Sequence, residues 1–201
     1  GGVNRGRSTA PFYPDVYESD YLENTEIGLK TVLMDGNMQL NVTYFSMDWN
    51  NYQLEVVDPS NLPCGSPEAY PAPQCGQPWQ KVVANVGEAS SDGLQLETLN
   101  AVGDNMEIGF NAQWVTAELD EDLSDGSAPA GSRLPQVPEF KANLWLDTSI
   151  DTQMMGANEG FFRASVSYTG DTVSAVQPSS QFVQKSYKSI DLKYGLLGDD
   201  W

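Results

Sequence analysis

The sequence predicts an all-β chain, an antiparallel up-and-down meander of about seven long strands. Three observations carry that reading. Apolar and polar residues alternate with period two over long runs, turn-forming Gly and Asp residues separate the runs in pairs, and short connections alternate with long ones. No segment shows a 3.6-residue apolar stripe bounded by helix caps.

From Thr25 onward, Ile27, Leu29 and Leu33 fall on one face, and Glu26, Gly28 and Lys30 on the other. Asp35-Gly36-Asn37 turns the chain, after which Leu40, Val42 and Tyr44 oppose Gln39, Asn41 and Thr43. Asp-Gly between two alternating runs is a strong short-range hairpin signal. A second hairpin repeats the construction. Leu94 and Leu96 alternate with Gln95 and Glu97, Gly103-Asp104 turns, and Met106, Ile108, Phe110 and Ala112 alternate with Glu107, Gly109, Asn111 and Gln113. In a third, Ala142, Leu144 and Leu146 precede a looser turn over 151–160, and Phe162, Ala164, Val166 and Tyr168 follow. A last strand sets Ile190, Leu192 and Tyr194 against Ser189, Asp191 and Lys193, and Gly198-Asp199-Asp200 reads as the next turn.

Alternation alone fits a soluble sandwich as well as a membrane barrel, so strand length and loop asymmetry decide. The runs approach the ~9–11 residues of a tilted spanning strand, whereas soluble strands are usually about 5–6. The tight turns at 35–37, 103–104 and 198–200 lie on one side, and the long connections at 58–80, 118–137 and 170–184 on the other. Short turns on one side and long loops on the other are expected of an outer-membrane barrel. The apolar faces then meet lipid, while Glu26, Lys30, Gln95, Glu97, Glu107, Asn111 and Lys193 face a wet or plugged lumen. Seven strands cannot close a bacterial barrel, which needs at least eight, so the chain is expected to be a sector of a larger wall. Trp114 shares the outward parity and reads as interfacial girdle; Trp49 has the opposite parity to Leu40 and Val42.

Composition narrows function. There are 28 Asp and Glu against 10 Lys and Arg, and no His. That balance disfavours nucleic acid, which needs a basic face, and peripheral attachment to anionic lipid. Without His, most metal sites and nucleophile–base triads are out of reach, so no enzyme activity, resident metal or cofactor is expected. Asp120-Glu121-Asp122 reads as a solvated loop surface, and Glu118 to Asp122 with Asp125 lack the spacing of an EF-hand. Cys64 and Cys75, in a Pro- and Ser-rich stretch, are expected to form a local disulfide, which would imply an oxidising compartment. The chain opens on Gly1-Gly2-Val3-Asn4 with no leader-like segment, and is expected to be a piece of a longer protein.

Four segments carry a family resemblance. Glu23 to Lys30 with Asp35 to Phe45 resembles the "N-x-E-x-G-x-K … D-G-x-x-x-L-N-x-x-x-F" hairpin of TonB-dependent receptors. Val83-Ala84-Asn85-Val86-Gly87-Glu88-Ala89, leading to Asp92-Gly93-Leu94-Gln95-Leu96-Glu97, is similar to their "N-x-G … G-v-E-l-E" segment. Arg133-Leu134-Pro135-Gln136-Val137-Pro138 resembles their "R-l-P-x-x-P" approach to a strand, and Gly1 to Arg5 is similar to a loop upstream of the first hairpin. The resemblance implies part of a 22-stranded barrel in the bacterial outer membrane, with the plug, the TonB-contacting segment and the terminal strand elsewhere in the parent chain. It implies energised uptake of a scarce nutrient such as an iron–siderophore complex, cobalamin or a sugar. Capture would fall to outer loops, with Arg5, Arg7, Tyr13, Tyr52, Tyr70 and Trp79 as candidate ligand contacts. A passive porin-like channel and a soluble carbohydrate-binding β-module are the competing readings.

Overall fold

The computed structural model describes residues 1–3, 16–57, 81–123, 126–152 and 158–197. Its strands are β1 (Gly2–Val3), β2 (Val16–Tyr17), β3 (Tyr21–Leu33), β4 (Met38–Asn50), β5 (Gln53–Val57), β6 (Lys81–Asn85), β7 (Ala89–Val102), β8 (Met106–Leu119), β9 (Phe140–Asp151), β10 (Glu159–Thr169), β11 (Thr172–Val173), β12 (Val183–Gln184) and β13 (Tyr187–Leu197). Seven of them form one sheet in the order β13-β10-β9-β8-β7-β4-β3, antiparallel at every pairing. The long strands run from 11 residues in β10 to 14 in β7 and β8, about twice the usual soluble length. The expected meander is therefore present, and its strands are long enough to span a bilayer.

Register sorts the side chains. Directly paired residues share a face, so Ile27, Tyr44, Leu94, Trp114 and Phe140 form one continuous row across five strands. Further down, Phe110, Leu144, Val166 and Ile190 form another, and Ile108, Leu146, Ala164 and Leu192 a third. This face is solvent-exposed in the isolated sector: Ile190 is 70% exposed and Leu192 66%. A water-facing surface does not carry so broad an apolar band, whereas lipid requires it. At its edge toward the long connections sits a group of aromatic residues. The Trp114, Phe140 and Tyr168 rings pack in series, with centroids 5.1 and 5.8 Å apart, and the Tyr44 hydroxyl donates to Asp92 Oδ1 at 3.1 Å. Trp114 thus takes the expected girdle position.

The inner face is polar, with aromatic residues laid over glycines. Phe45 pairs with Gly93, Trp145 with Gly109 and Phe161 with Gly195. Each ring covers its glycine so closely that an added Cβ would overlap it. The glycines leave a bare stretch of backbone on which a flat ring can lie, which shields the ladder without narrowing the lumen.

The turns depart from expectation in one place. Leu33 still pairs with Met38, so the first hairpin loop is Met34 to Asn37, with Met34 and Asp35 both in the left-handed region. Asn37 closes it by donating from its backbone N–H and its side chain to the Met34 carbonyl, at 3.1 and 3.0 Å. In the second hairpin, Gly103 takes the positive φ, and the Asn105 side chain donates to the Ser149 carbonyl at 2.8 Å.

The packed core lies at the long-connection end of the sheet. Tyr52, Leu54, Ala84, Val86 and Ala89 cluster with Ala117, Leu119, Leu123, Ala128, Leu134 and Val176. The segment expected as a plain loop after 118 instead returns alongside β8: Leu119 N–H donates to the Ser132 carbonyl, Leu134 N–H to Ala117 and Val115 N–H to Glu139, each at 2.9 Å. These bonds satisfy the end of β8 where β9 no longer reaches it.

Candidate ligand-binding site on the inner wall

Two luminal rows build the site. The upper row is Gln95, Gln113, Lys141, Thr169 and Tyr187, placed directly opposite one another across β7, β8, β9, β10 and β13. The lower row is Glu97, Asn111, Asn143 and Ser167. Both alternate with the outward girdle residues Trp114, Phe140 and Tyr168, so they sit on the lumen side near the outer edge of the apolar band. Above them the chain between β10 and β13 folds over the wall as a strap, through β11, β12 and a turn at Pro178–Ser180. Together the rows, the strap and the 136–138 segment line an open concave cavity of about 710 Å³. That is the size of a small-ligand site.

The strap is anchored at several points. Gln136 N–H donates to the Val173 carbonyl and Ser174 N–H to the Phe182 carbonyl, both at 2.9 Å. Val173 and Val176 are buried. Arg133 ties the strap to the neighbouring segment, with Nη1 at 3.1 Å from Asp171 Oδ2, Nη2 donating to the Asp171 carbonyl at 3.0 Å, and Nε at 3.2 Å from Glu139 Oε1. The hydrogen bond from Arg133 holds the Asp171 carboxyl below its ordinary range.

Within the lower row, Ser167 Oγ donates to Asn143 Oδ1 at 2.9 Å, and Asn41 donates to Glu97 at 3.3 Å. Toward the short-turn end the lumen face becomes charged: the Arg163 guanidinium pairs with Asp147, its Nε donating at 2.8 Å, and Lys193 lies directly opposite Arg163.

Of the six candidate contacts, Tyr52 alone lies among the described residues; Arg5, Arg7, Tyr13, Tyr70 and Trp79 lie outside them, as do Cys64 and Cys75. Tyr52 is 8% exposed and packs edge-on against Trp49, with centroids 4.7 Å apart. Burial, and then the nearby Asp20 charge, raise its phenol above the ordinary value. The structure thus places Tyr52 in the outer core, away from the luminal cavity. The β4 register runs without a bulge and gives Trp49 luminal parity, and its Nε1 donates to Asp20 Oδ2 at 2.8 Å. Among the described residues, no group of three His, Cys, Asp or Glu side chains converges as a metal site would require. Asp120 accepts from Ser90 Oγ and Asp122 from the Ala130 N–H, both at 2.7 Å, so these carboxylates anchor the outer loop.

Gln95, Glu97, Asn111 and Gln113 were legible as inward-facing from β7 and β8. The alternation of Lys141 and Asn143 with Ala142 and Leu144 carries the same signal. Nothing in the sequence marks the strap residues.

The model of the TonB dependent receptor-like β-barrel aligns with residues 9–198. The chain belongs to this family. Solved receptors of the same fold include the ferric yersiniabactin uptake receptor FyuA from Yersinia pestis, 18% identical, with a TM-score of 0.66 over 90% of this chain and 23% of that one. The ferric-catecholate import receptor Fiu from Escherichia coli K12 is 16% identical, with a TM-score of 0.60 over 99% of this chain and 24% of that one. The FrpB iron transporter from Neisseria meningitidis (F3-3 variant) is 14% identical, with a TM-score of 0.58 over 92% and 25%. The chain spans about a quarter of the length of these receptors. Comparison with curated proteins gives no match. The sheet is thus a wall sector of a TonB-dependent receptor barrel of the outer membrane, its apolar face toward lipid and its polar face toward the lumen.

Proposed function

We propose that the receptor carrying this sector captures a scarce nutrient at the cell surface and imports it with energy delivered through TonB and a plug domain. The observation that carries the reading is the polar cavity on the inner wall, at the outer end of the lumen and beneath an anchored strap. A ligand arriving from outside meets this wall first, and the concave polar surface gives it partners inside a barrel whose outer face is committed to lipid. Arg5, Arg7, Tyr13, Tyr70 and Trp79 are proposed as first contacts on the way in, and a Cys64–Cys75 disulfide as the brace of that outer segment. Two solved proteins of this fold are named for ferric yersiniabactin uptake and ferric-catecholate import, and a ferric chelate, cobalamin or a sugar are the cargo classes the reading allows.

The test is receptor-dependent growth on a panel of limiting iron, cobalt and carbon sources in cells with and without TonB. Growth that requires both the receptor and TonB is the expected result. Growth that requires the receptor but persists without TonB would replace this reading with a passive channel.

A further inference from the structure

The lining of the luminal cavity is dominated by neutral polar side chains. Six of its side chains are carboxamides: Gln95, Asn111, Gln113, Gln136, Asn143 and Gln184. Among the described residues, its charged groups are Glu97 and Lys141, which balance. A trianionic chelate entering such a site would give up hydration and meet one ammonium group, against a chain carrying a formal charge of −18. A carboxamide, by contrast, both donates and accepts, which is what a hydroxyl group asks of its partner. Hydroxyls from Ser167, Thr169, Thr172 and Ser174 extend the same two-way character around the wall.

An aromatic platform completes the site. Phe182 lines the cavity from the strap and is 71% exposed, so its ring is not used up in packing. Its position is nonetheless fixed, because its backbone N–H donates to Ser174 Oγ at 2.9 Å and its carbonyl accepts from Ser174 N–H. Tyr187 stands on the facing wall, half exposed. An exposed, backbone-anchored ring beside a carpet of neutral two-way hydrogen-bonding groups suits a ligand with an apolar face and a hydroxylated rim.

We propose that this cavity binds a neutral, polyhydroxylated ligand of oligosaccharide type, with Phe182 stacking on a ring face and Gln113, Asn111 and Asn143 holding its hydroxyls. The inference rests on the transport reading only in taking the inner wall as the ligand's path.

Equilibrium binding to the purified full-length receptor, measured by calorimetry without any energy source, tests it. The probes are neutral linear tri- to hexasaccharides of glucose, xylose and N-acetylglucosamine, with a ferric tris-catecholate as the anionic comparison. At least one oligosaccharide is expected to bind, with affinity unchanged when salt rises tenfold, since no ion pair is formed. Phe182→Ala and Gln113→Ala should each weaken it by roughly 3- to 10-fold. Phe182→Leu, which keeps apolar volume but removes the ring, guards against misfolding and should weaken binding similarly. Failure of every oligosaccharide to bind would overturn the proposal, as would binding indifferent to all three substitutions. Uptake that persisted without TonB would sink the transport reading and leave the binding result standing.

Discussion

Leu146→Arg is the substitution that most sharply separates a lipid-facing wall from a water-facing one. Leu146 pairs with Ile108 on one side and Ala164 on the other, all on the apolar face. Along β10, Ala164 is midway between Tyr168 at the outer girdle and Gly160 near the other end, a run of about 27 Å at ~3.4 Å per residue. With a strand tilt of ~40°, that run spans roughly 21 Å of membrane, close to the ~25 Å apolar band of these barrels. Leu146 therefore sits near the bilayer midplane, where Arg on the lipid face costs about 2–4 kcal/mol. Such a cost lowers the folding equilibrium by about 30- to 700-fold. The control is Ser165→Arg. Ser165 is one residue from Ala164 but faces the lumen, opposite Trp145 and Asp191, and should change stability by less than about 1 kcal/mol. Denaturant unfolding of the receptor in lipid vesicles, followed by tryptophan emission and by heat-modifiable mobility on gels, reads both. Equal penalties, or a larger one for Ser165→Arg, would refute the assignment of faces.

Other outcomes follow from particular contacts. Gly109→Val should destabilise the barrel by roughly 1–3 kcal/mol through overlap with Trp145, and much of that loss should vanish in the double variant with Trp145→Ala, as unfolding of all three variants would show. Arg133→Ala should release the strap, seen as faster amide exchange at Ser174 and Gln136 with exchange in β8 unchanged. The Asp171 carboxyl is held below its ordinary value, so its contribution is fully present above the unfolded value of 3.8 and fades only as pH falls through the lower folded value. Strap protection should therefore be flat from about pH 5 to 8 and drop only in strong acid. Trp49→Phe, which removes the donor to Asp20, should cost roughly 1–3 kcal/mol in the outer core and leave the emission of Trp114 in the girdle unshifted, by denaturation and emission spectra.

Much of this wall was legible because a spanning strand has a strict two-residue code. Ile27 and Leu29 against Glu26 and Lys30, or Ile108 and Phe110 against Glu107 and Asn111, state their faces without any knowledge of partners. What is not local was not legible. Gly109 and Trp145 are unremarkable separately, and only the register across β8 and β9 makes them a covered pair. The Asp35-Gly36 signal was real, yet the strand ran to Leu33 and put Met34 and Asp35 into the left-handed turn positions. Tyr52 reads as a ligand contact because an aromatic beside a long connection usually has that freedom; instead, its backbone extends the β5–β6 ladder through Gly87 and Val86, and its ring is buried against Trp49. The strap behaves likewise: Val176 joins the outer core that holds Leu123, Ala128 and Leu134, and the Val173 carbonyl accepts from Gln136 N–H, contacts that no periodicity encodes.

The central claim is that alternate residues of these strands face lipid and lumen. Single cysteines placed from Glu107 to Gln113 of the full-length receptor, in a background with Cys64 and Cys75 replaced, would carry a fluorophore exposed to a lipid-soluble nitroxide. Quenching should be strong at positions 108, 110 and 112 and weak at 107, 109, 111 and 113. Uniform quenching along β8, or none at any position, would contradict the account.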